Sequence, residues 1–447
     1  MPLRRALLGC SLALMLLGTA GAQAAPERVT EITLDNGLRV LVVEDHRSPI
    51  ATIQTWYKVG SRNEIPGATG LAHFLEHMMF KGTPAHGKGV FSQTVEENGG
   101  QDNAFTTQDV TSYYVNIAAD RVSFILGLEA DRMRNLLLDP NEIDSERQVV
   151  AEERRTRTED DPDGYLSEEF LAAAYKAHPY GWPIIGWMSD ILRINPTELR
   201  AFYNRYYLPN NALLVVAGDV ETSRVLARVR EAFGSVPRGP APPPMDAVEP
   251  PQLGERRVQL YKPDARAPIV YIGYHVPNYA SPDAPALELL STILQEGRAS
   301  RLYRRLVYER RIALSVGGDY SYFSHDPNLF WFSGTPLPGQ TPAALEQAIM
   351  DEIVRAQNEP VPDEELERAK NQIEAAFVWR QDSIYSRAAS LARFELTGSW
   401  RNSETFVPMI RKVTAADLQR VARTYFQAQG RTVGTLLPGA PPAAAGQ

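Results

Sequence analysis

Apolar and polar residues alternate in short blocks at the start of the chain, bounded by turn formers. The runs ITLDNGLRVLVVED and ATIQTWYKVG predict strands, with Asn36-Gly37 marking a turn between apolar segments. About 218 residues later, RRVQLYKPD and PIVYIGYHV repeat this opening. The pattern then shifts toward helical spacing, and the halves agree again near their ends. TELRAFYNRYYLPNNALLVVAGDV (197–220) predicts an amphipathic helix, a Pro-Asn break and a buried strand. ADLQRVARTYFQAQGRTVGTLLPG (416–439) repeats that order, with Leu418 and Tyr425 in the places of Leu199 and Tyr206. A repeat this long signals a duplicated domain, not a solenoid. Strands at both ends with helices between them give an α+β class for each half, a sheet with packed helices.

Between the halves, VPRGPAPPPMDAVEPPQLG (236–254) holds seven prolines in nineteen residues. Such a run sustains neither a helix nor a central strand and reads as a stiff linker. The expected division is a leader at 1–24, a first domain at 25–235, the linker at 236–254, a second domain at 255–438 and a disordered tail at 439–447.

Composition narrows the setting. With 447 residues, 44% apolar and 22% charged, the chain can build more than one core. The net charge of −8 and the lack of any basic patch interleaved with aromatics speak against nucleic acid as partner. Arg4 and Arg5, the apolar run Ala6 to Leu17 and the Ala22-Gln23-Ala24 site read as a secretory signal, with cleavage expected near Ala24. The expected location is the periplasm or exterior, with no transmembrane span in the mature chain. LLGC at 7–10 precedes most of the apolar run, the wrong place for a lipidation site. Cys10 is the single cysteine and leaves with the leader, so any metal must sit on histidine and carboxylate.

The chemistry concentrates in GLAHFLEHMMFKGT (70–83). His73 and His77 lie four apart and share one helical face, with Glu76 beside the second. Two imidazoles suit zinc, but a catalytic zinc takes three protein ligands and keeps one position open. Glu76 cannot comfortably reach the same metal from within that turn and is placed to act as general base toward a water. The third ligand is expected to be a carboxylate on a neighbouring helix. LLLDPNEIDSERQVVAEERR (136–155) offers one, with Asp139 as cap and Pro140 at the first helical position. Glu146 and Glu153 stand two turns apart on one face, with Val149 and Val150 expected to pack inward between them. Glu152, Arg154 and Arg155 suit a solvated face. In GGQDNAFTTQDVTSYYVNI (99–117), Gly-Gly-Gln-Asp-Asn reads as a turn and the rest as a strand.

H-x-x-E-H is the inverted zinc motif of the inverzincins. Together with LDNGLRVLVVED, VGSRNE, NGGQDNAFTTQDVTSYY and ERQVVAEERR, it makes the chain resemble the pitrilysin-like zinc metallopeptidases over almost its whole mature length. The nearest type is the two-chain, processing-peptidase-like bacterial one. The resemblance implies zinc (Zn2+) held by His73, His77 and Glu153, with Glu76 as catalytic base and Glu146 supporting the site. It implies a peptide substrate added as a strand at Asn103 and Ala104. The expected function is a secreted zinc endopeptidase degrading peptides or small unfolded proteins. The alternative is a non-catalytic scaffold subunit of the same fold.

The second half lacks the motif. At the repeat offset, His73, Glu76 and His77 fall near Ser291, Leu294 and Gln295, so this half is expected to serve as a lid over the substrate. Members of the family also carry an Arg and a Tyr there that bind substrate. Val307 and Leu314 occupy those places here, with Tyr303, Tyr308, Arg310 and Arg311 nearby. The resemblance therefore implies a homologous partner subunit that supplies the pair, with this chain as the catalytic member of a heterodimer.

Overall fold

The computed structural model describes residues 29–441. The leader and most of the tail lie outside the described residues. The first sheet contains β1 (Val29–Thr33), β2 (Arg39–Glu44), β3 (Ile50–Tyr57), β4 (Gln101–Thr106), β5 (Thr111–Ala118) and β6 (Ala212–Gly218). Their order is β1-β2-β6-β3-β5-β4, with β2 and β6 parallel and the other neighbours antiparallel. The second sheet contains β7 (Arg256–Lys262), β8 (Ile269–Val276), β9 (Ala313–Tyr320), β10 (Asn328–Pro336) and β11 (Arg431–Pro438). Its order is β7-β11-β8-β10-β9, again with one parallel pair, β7 and β11. Without β1, the two orders match strand for strand, including the place of the parallel pair. The repeat seen in the apolar pattern is therefore a repeat of topology. β1 is an added hairpin partner for β2, and the turn between them needs Gly37, at φ +89°.

The helices of the first half are α1 (Leu71–Met78), α2 (Val90–Glu97), α3 (Val122–Asn135), α4 (Pro140–Arg154), α5 (Pro162–Ala174), α6 (Met188–Ile191), α7 (Pro196–Tyr206) and α8 (Thr222–Phe233). Those of the second half are α9 (Ala284–Gln295), α10 (Pro342–Asn358), α11 (Asp363–Asp382), α12 (Ile384–Thr397), α13 (Asn402–Lys412) and α14 (Ala415–Tyr425). Helices cover both faces of the central strands, so β6 is buried along its whole length and reads as a continuous apolar run. No helix among the described residues is long and apolar enough to cross a membrane.

Two helices are exchanged between the halves. α5 belongs to the first half but lays Leu166, Phe170 and Ala174 against Tyr271 and Leu436 of the second sheet. The Phe170 ring fits there because Gly273 carries no side chain: a Cβ at that position would lie 2.7 Å from the ring. In return, α12 packs Ala388, Leu391 and Ala392 against Leu41, Val43, Leu213 and Val215 of the first sheet. Between them, Arg62 pairs with Asp109 and with Asp326, which also accepts from His178 Nε2–H at 3.2 Å. The second half is thus keyed into the first by buried surface on both sides.

Residues 237–253 form no helix or strand, yet the segment is anchored. The Glu249 carboxylate accepts the N–H groups of Lys176, Ala177 and His178 at 2.8, 2.8 and 3.0 Å, just past the end of α5. One local expectation fails. Gln101, Asp102 and Asn103 already belong to β4, and the turn of the β4–β5 hairpin lies at Thr107–Val110. The Thr107 hydroxyl accepts the N–H groups of Asp109 and Val110 there, an alternative turn signal that the glycine pair upstream obscured.

Candidate active site

α1 is short and turns His73, Glu76 and His77 toward α4 and the end of β4. α4 starts where the sequence indicates: the Asp139 side chain accepts from Asn141 N–H at 2.8 Å and Pro140 takes the first position. Its last turns bring Glu153 to the two imidazoles. Glu153 Oε2 lies 3.3 Å from His77 Nε2, and Oε1 lies 3.8 Å from His73 Nε2. One ligand atom from each of the three residues falls within 4.8 Å of the others, the one such group found among the described residues. Two imidazoles and one carboxylate around an open cavity form a donor set that fits zinc with a position left free. His73 Nδ1 is buried without a hydrogen-bond partner, which leaves Nε2 as the atom aimed at the site.

Two turns earlier on α4, Glu146 is 5% exposed and accepts from His77 Nδ1–H at 2.8 Å. Its other oxygen pairs with Lys81. The arrangement fixes the His77 ring and presents Nε2 to the site, the usual work of a carboxylate behind a metal-binding histidine. Glu153 is braced in the same way, by Arg157 at 2.6 Å. Glu76 sits beside this group, and its Oε2 accepts from the Thr106 hydroxyl at 2.5 Å.

The electrostatics differ between the two imidazoles. Burial, helped by the neighbouring His77, lowers the His73 pKa to about 4 and keeps it neutral. Burial acts in the same direction on His77, but hydrogen bonds to Glu146 and Glu153 outweigh it and raise that pKa to about 9. The Glu153 carboxyl is held below its ordinary range, first by its bond to His77. Burial pushes the Glu76 carboxyl up against the opposing Thr106 bond, the direction that suits a general base working near neutrality.

A cavity of about 1050 Å³ opens beside these groups, walled by Phe80, Ala104, Phe105, Leu171 and Trp182. It shares Phe105, Gln108, Ser167 and Leu171 with a second cavity of about 710 Å³ that lies between the two halves. β4 is the last strand of its sheet, so its outer backbone edge is unpaired. The Asn103 side-chain oxygen accepts from Ala104 N–H at 2.8 Å, which places that N–H on the open edge. An extended peptide could take over such a donor as an added strand.

All seven residues singled out from the sequence gather around this cavity. Three others were missed: Lys81, Thr106 and Arg157. Lys81 lies four residues after His77, so helical spacing was a usable signal, whereas Thr106 and Arg157 meet the site only through the tertiary fold. Two expectations on α4 are corrected. Val150 is buried, but Val149 is 49% exposed and lines the cavity, because α4 turns that edge to open space. Arg154 is buried, not solvated: its guanidinium reaches both Glu168 oxygens at 2.7 Å and the Gly186 carbonyl. In the second half, Ser291, Leu294 and Gln295 are buried on α9 and offer no metal donor set. Val307 packs against that half's core, and Leu314 is exposed.

Two family models match the chain: "Insulinase (Peptidase family M16)" over residues 39–187 and "Peptidase M16 inactive domain" over residues 193–373. The zinc protease PqqE of Helicobacter pylori is 33% identical over 437 residues, covering 97% of this chain and 98% of that protein. The chain belongs to peptidase family M16. A crystal structure of a protease from Helicobacter pylori matches with a TM-score of 0.89 at 33% identity, over 92% of this chain and all of that one. The periplasmic protease PqqL of Escherichia coli shares the fold, with a TM-score of 0.74 at 20% identity. That match covers 94% of this chain but 50% of PqqL. Within the M16 family the first half here carries the complete H-x-x-E-H string, and the second half matches the domain described as inactive.

Proposed function

We propose that this M16 protein is a secreted zinc endopeptidase, located in the periplasm or outside the cell, that cleaves peptides or small unfolded proteins. One observation carries the reading: the ligand atoms of His73, His77 and Glu153 converge within 4.8 Å, beside Glu76, on a cavity of about 1050 Å³. His73, His77 and Glu153 hold the metal. Zinc, when bound, supplies a Lewis acid that polarises the scissile carbonyl and acidifies water. Glu76 takes the proton from the attacking water and hands it to the leaving amine. Glu146, backed by Lys81, keeps the His77 ring in register. The β4 edge at Asn103 and Ala104 aligns the substrate backbone, which gives affinity with little dependence on side chains and suits an unfolded chain.

The reading includes a homologous partner subunit. Val307 and Leu314 offer neither charge nor hydroxyl where a substrate-binding Arg and Tyr are expected. The chain also spans half the length of PqqL, so two units of this size equal one such molecule. A partner that supplies the pair would make this chain the catalytic member of a heterodimer.

The test is zinc content and hydrolysis of a quenched fluorescent peptide by the purified protein, beside Glu76→Gln. One zinc in both proteins, with cleavage by wild type alone, is the expected result. Zinc in both with no cleavage by either places the missing groups on a partner. No zinc in the wild-type protein would overturn the reading and leave a scaffold subunit of this fold.

A further inference from the structure

We infer that Thr106 is the positioning residue of the general base, holding the Glu76 carboxylate by one oxygen so that the other faces the cavity. The inference rests on the zinc-peptidase reading for its catalytic meaning, but the contact itself comes from the fold. Side chains alternate along β4, so Asp102, Ala104 and Thr106 point to one face and Asn103 and Phe105 to the other. The first face looks toward the helices. Asp102 accepts from the Ser92 hydroxyl of α2 at 2.7 Å, Ala104 packs against the first core, and the Thr106 hydroxyl donates to Glu76 Oε2 at 2.5 Å. The second face turns Phe105 onto Trp56, with ring centres 5.3 Å apart, which fixes the rotation of the strand about its axis.

Among the described residues, Thr106 is the single hydrogen-bond partner of the Glu76 carboxylate, and Glu76 is the single side-chain partner of the Thr106 hydroxyl. Its neighbour shows the ordinary alternative. The Thr107 hydroxyl serves its own turn, with the Val110 carbonyl and the N–H groups of Asp109 and Val110 as partners. Thr106 makes no such local bond. Its hydroxyl reaches across thirty residues of sequence to a carboxylate that forms no ion pair among the described residues.

A carboxylate on a flexible glutamate arm samples several rotamers, and most leave neither oxygen near the water it must deprotonate. Anchoring Oε2 removes that freedom and leaves Oε1 toward the cavity. The anchor is two residues from Ala104, on the strand proposed to pair with substrate. The same rigid strand then sets both the substrate backbone and the base, which fixes the geometry between the scissile bond and the proton acceptor.

The experiment compares wild type, Thr106→Val, Thr106→Ser and Glu76→Gln in the zinc-loaded full protein. Val keeps the shape and deletes the hydroxyl, and Ser restores it. In Thr106→Val, kcat should fall about 10- to 100-fold, as expected when a reacting group is misplaced. KM should stay within about twofold and zinc content should be unchanged, while Ser recovers most of kcat. A second readout needs no turnover: the ¹³C carboxyl signal of Glu76, identified as the one missing in Glu76→Gln, should move in Thr106→Val and return in Thr106→Ser. A Val variant with wild-type kcat, or a change in KM alone, overturns the inference. If zinc-loaded wild type cleaves no peptide, the missing catalytic groups lie on a partner and the carboxyl signal alone decides: one unmoved in Thr106→Val overturns the role of Thr106.

Discussion

Removing the Glu146 carboxylate should weaken metal binding without removing a ligand. Glu146 is 5% exposed, with one oxygen on His77 Nδ1–H at 2.8 Å and the other on Lys81. In Glu146→Ala the imidazole loses the partner that fixes its tautomer and rotation, and Lys81 loses its counter-charge. Supports of this kind are worth about 10- to 100-fold in metal affinity. That factor corresponds to about 1.4–2.8 kcal/mol, the range of one hydrogen bond to a charged group. Glu146→Gln keeps an oxygen for Nδ1–H and gives up only the charge, so its loss should be the smaller of the two. Zinc affinity is read by competition with a coloured chelator at fixed pH, beside circular dichroism to confirm folding. A folded Glu146→Ala that binds zinc as tightly as wild type would refute the argument. So would Gln and Ala variants that lose affinity equally, because the imidazole bond would then contribute nothing.

Two further outcomes test the architecture. Phe170→Ala should destabilise by about 3–5 kcal/mol, because a ring 1% exposed is deleted from a site shaped around it. Because α5 seals the second sheet, calorimetry should still show the two halves melting in one transition, and separate transitions would mean that the exchanged helices do not couple them. Glu31 joins the β1–β2 hairpin to the α12–α13 junction by accepting from Trp400 Nε1–H at 3.0 Å and from Arg401 at 2.8 Å. The Trp400 bond, with those to Arg39 and Arg401, outweighs burial and lowers its pKa from 4.5 to about 2. A pKa lowered in the folded state gives stability that is complete above pH 4.5 and lost as pH falls toward 2, at most about 3 kcal/mol. Urea unfolding of Glu31→Gln beside wild type should show a gap at pH 7 that narrows by pH 3, and a constant gap would remove Glu31 from the acid response.

What the sequence revealed and what it hid follow a physical line. The H-x-x-E-H helix, the cap at Asp139 and the repeated strand and helix order are short-range patterns, set by periodicity and turn chemistry within a few residues. Those were legible, and so was the face that Glu146 shares with Glu153. The partners that hold the site were not. Thr106 meets Glu76, and Arg154 meets Glu168, only after strands and helices have packed, and no spacing announces such a meeting. Arg154 shows the cost of reading charge as exposure: a run of arginines looks like a solvated face until one guanidinium finds two carboxylate oxygens and a carbonyl inside. The exchanged helices were invisible for a similar reason. An amphipathic helix states that one face is buried, but not against which sheet.

The duplication explains why one copy can lose its chemistry without losing its fold. The strand orders match, and α9 stands where α1 would, yet Ser291, Leu294 and Gln295 face inward there in place of the metal motif. What the second copy must keep is its sheet, because α5 of the first half is covered there and residues just beyond it are held by Glu249 of the connecting segment. α5 in turn bears Glu168, which holds Arg154 at the end of α4, one residue from Glu153. A continuous line of packed and paired groups thus runs from the second sheet through Phe170 and Glu168 to the helix that carries Glu153. The second half thus braces the end of α4, where Glu153 sits, through packed and paired groups. The Phe170 ring that anchors α5 fits there because Gly273 carries no side chain.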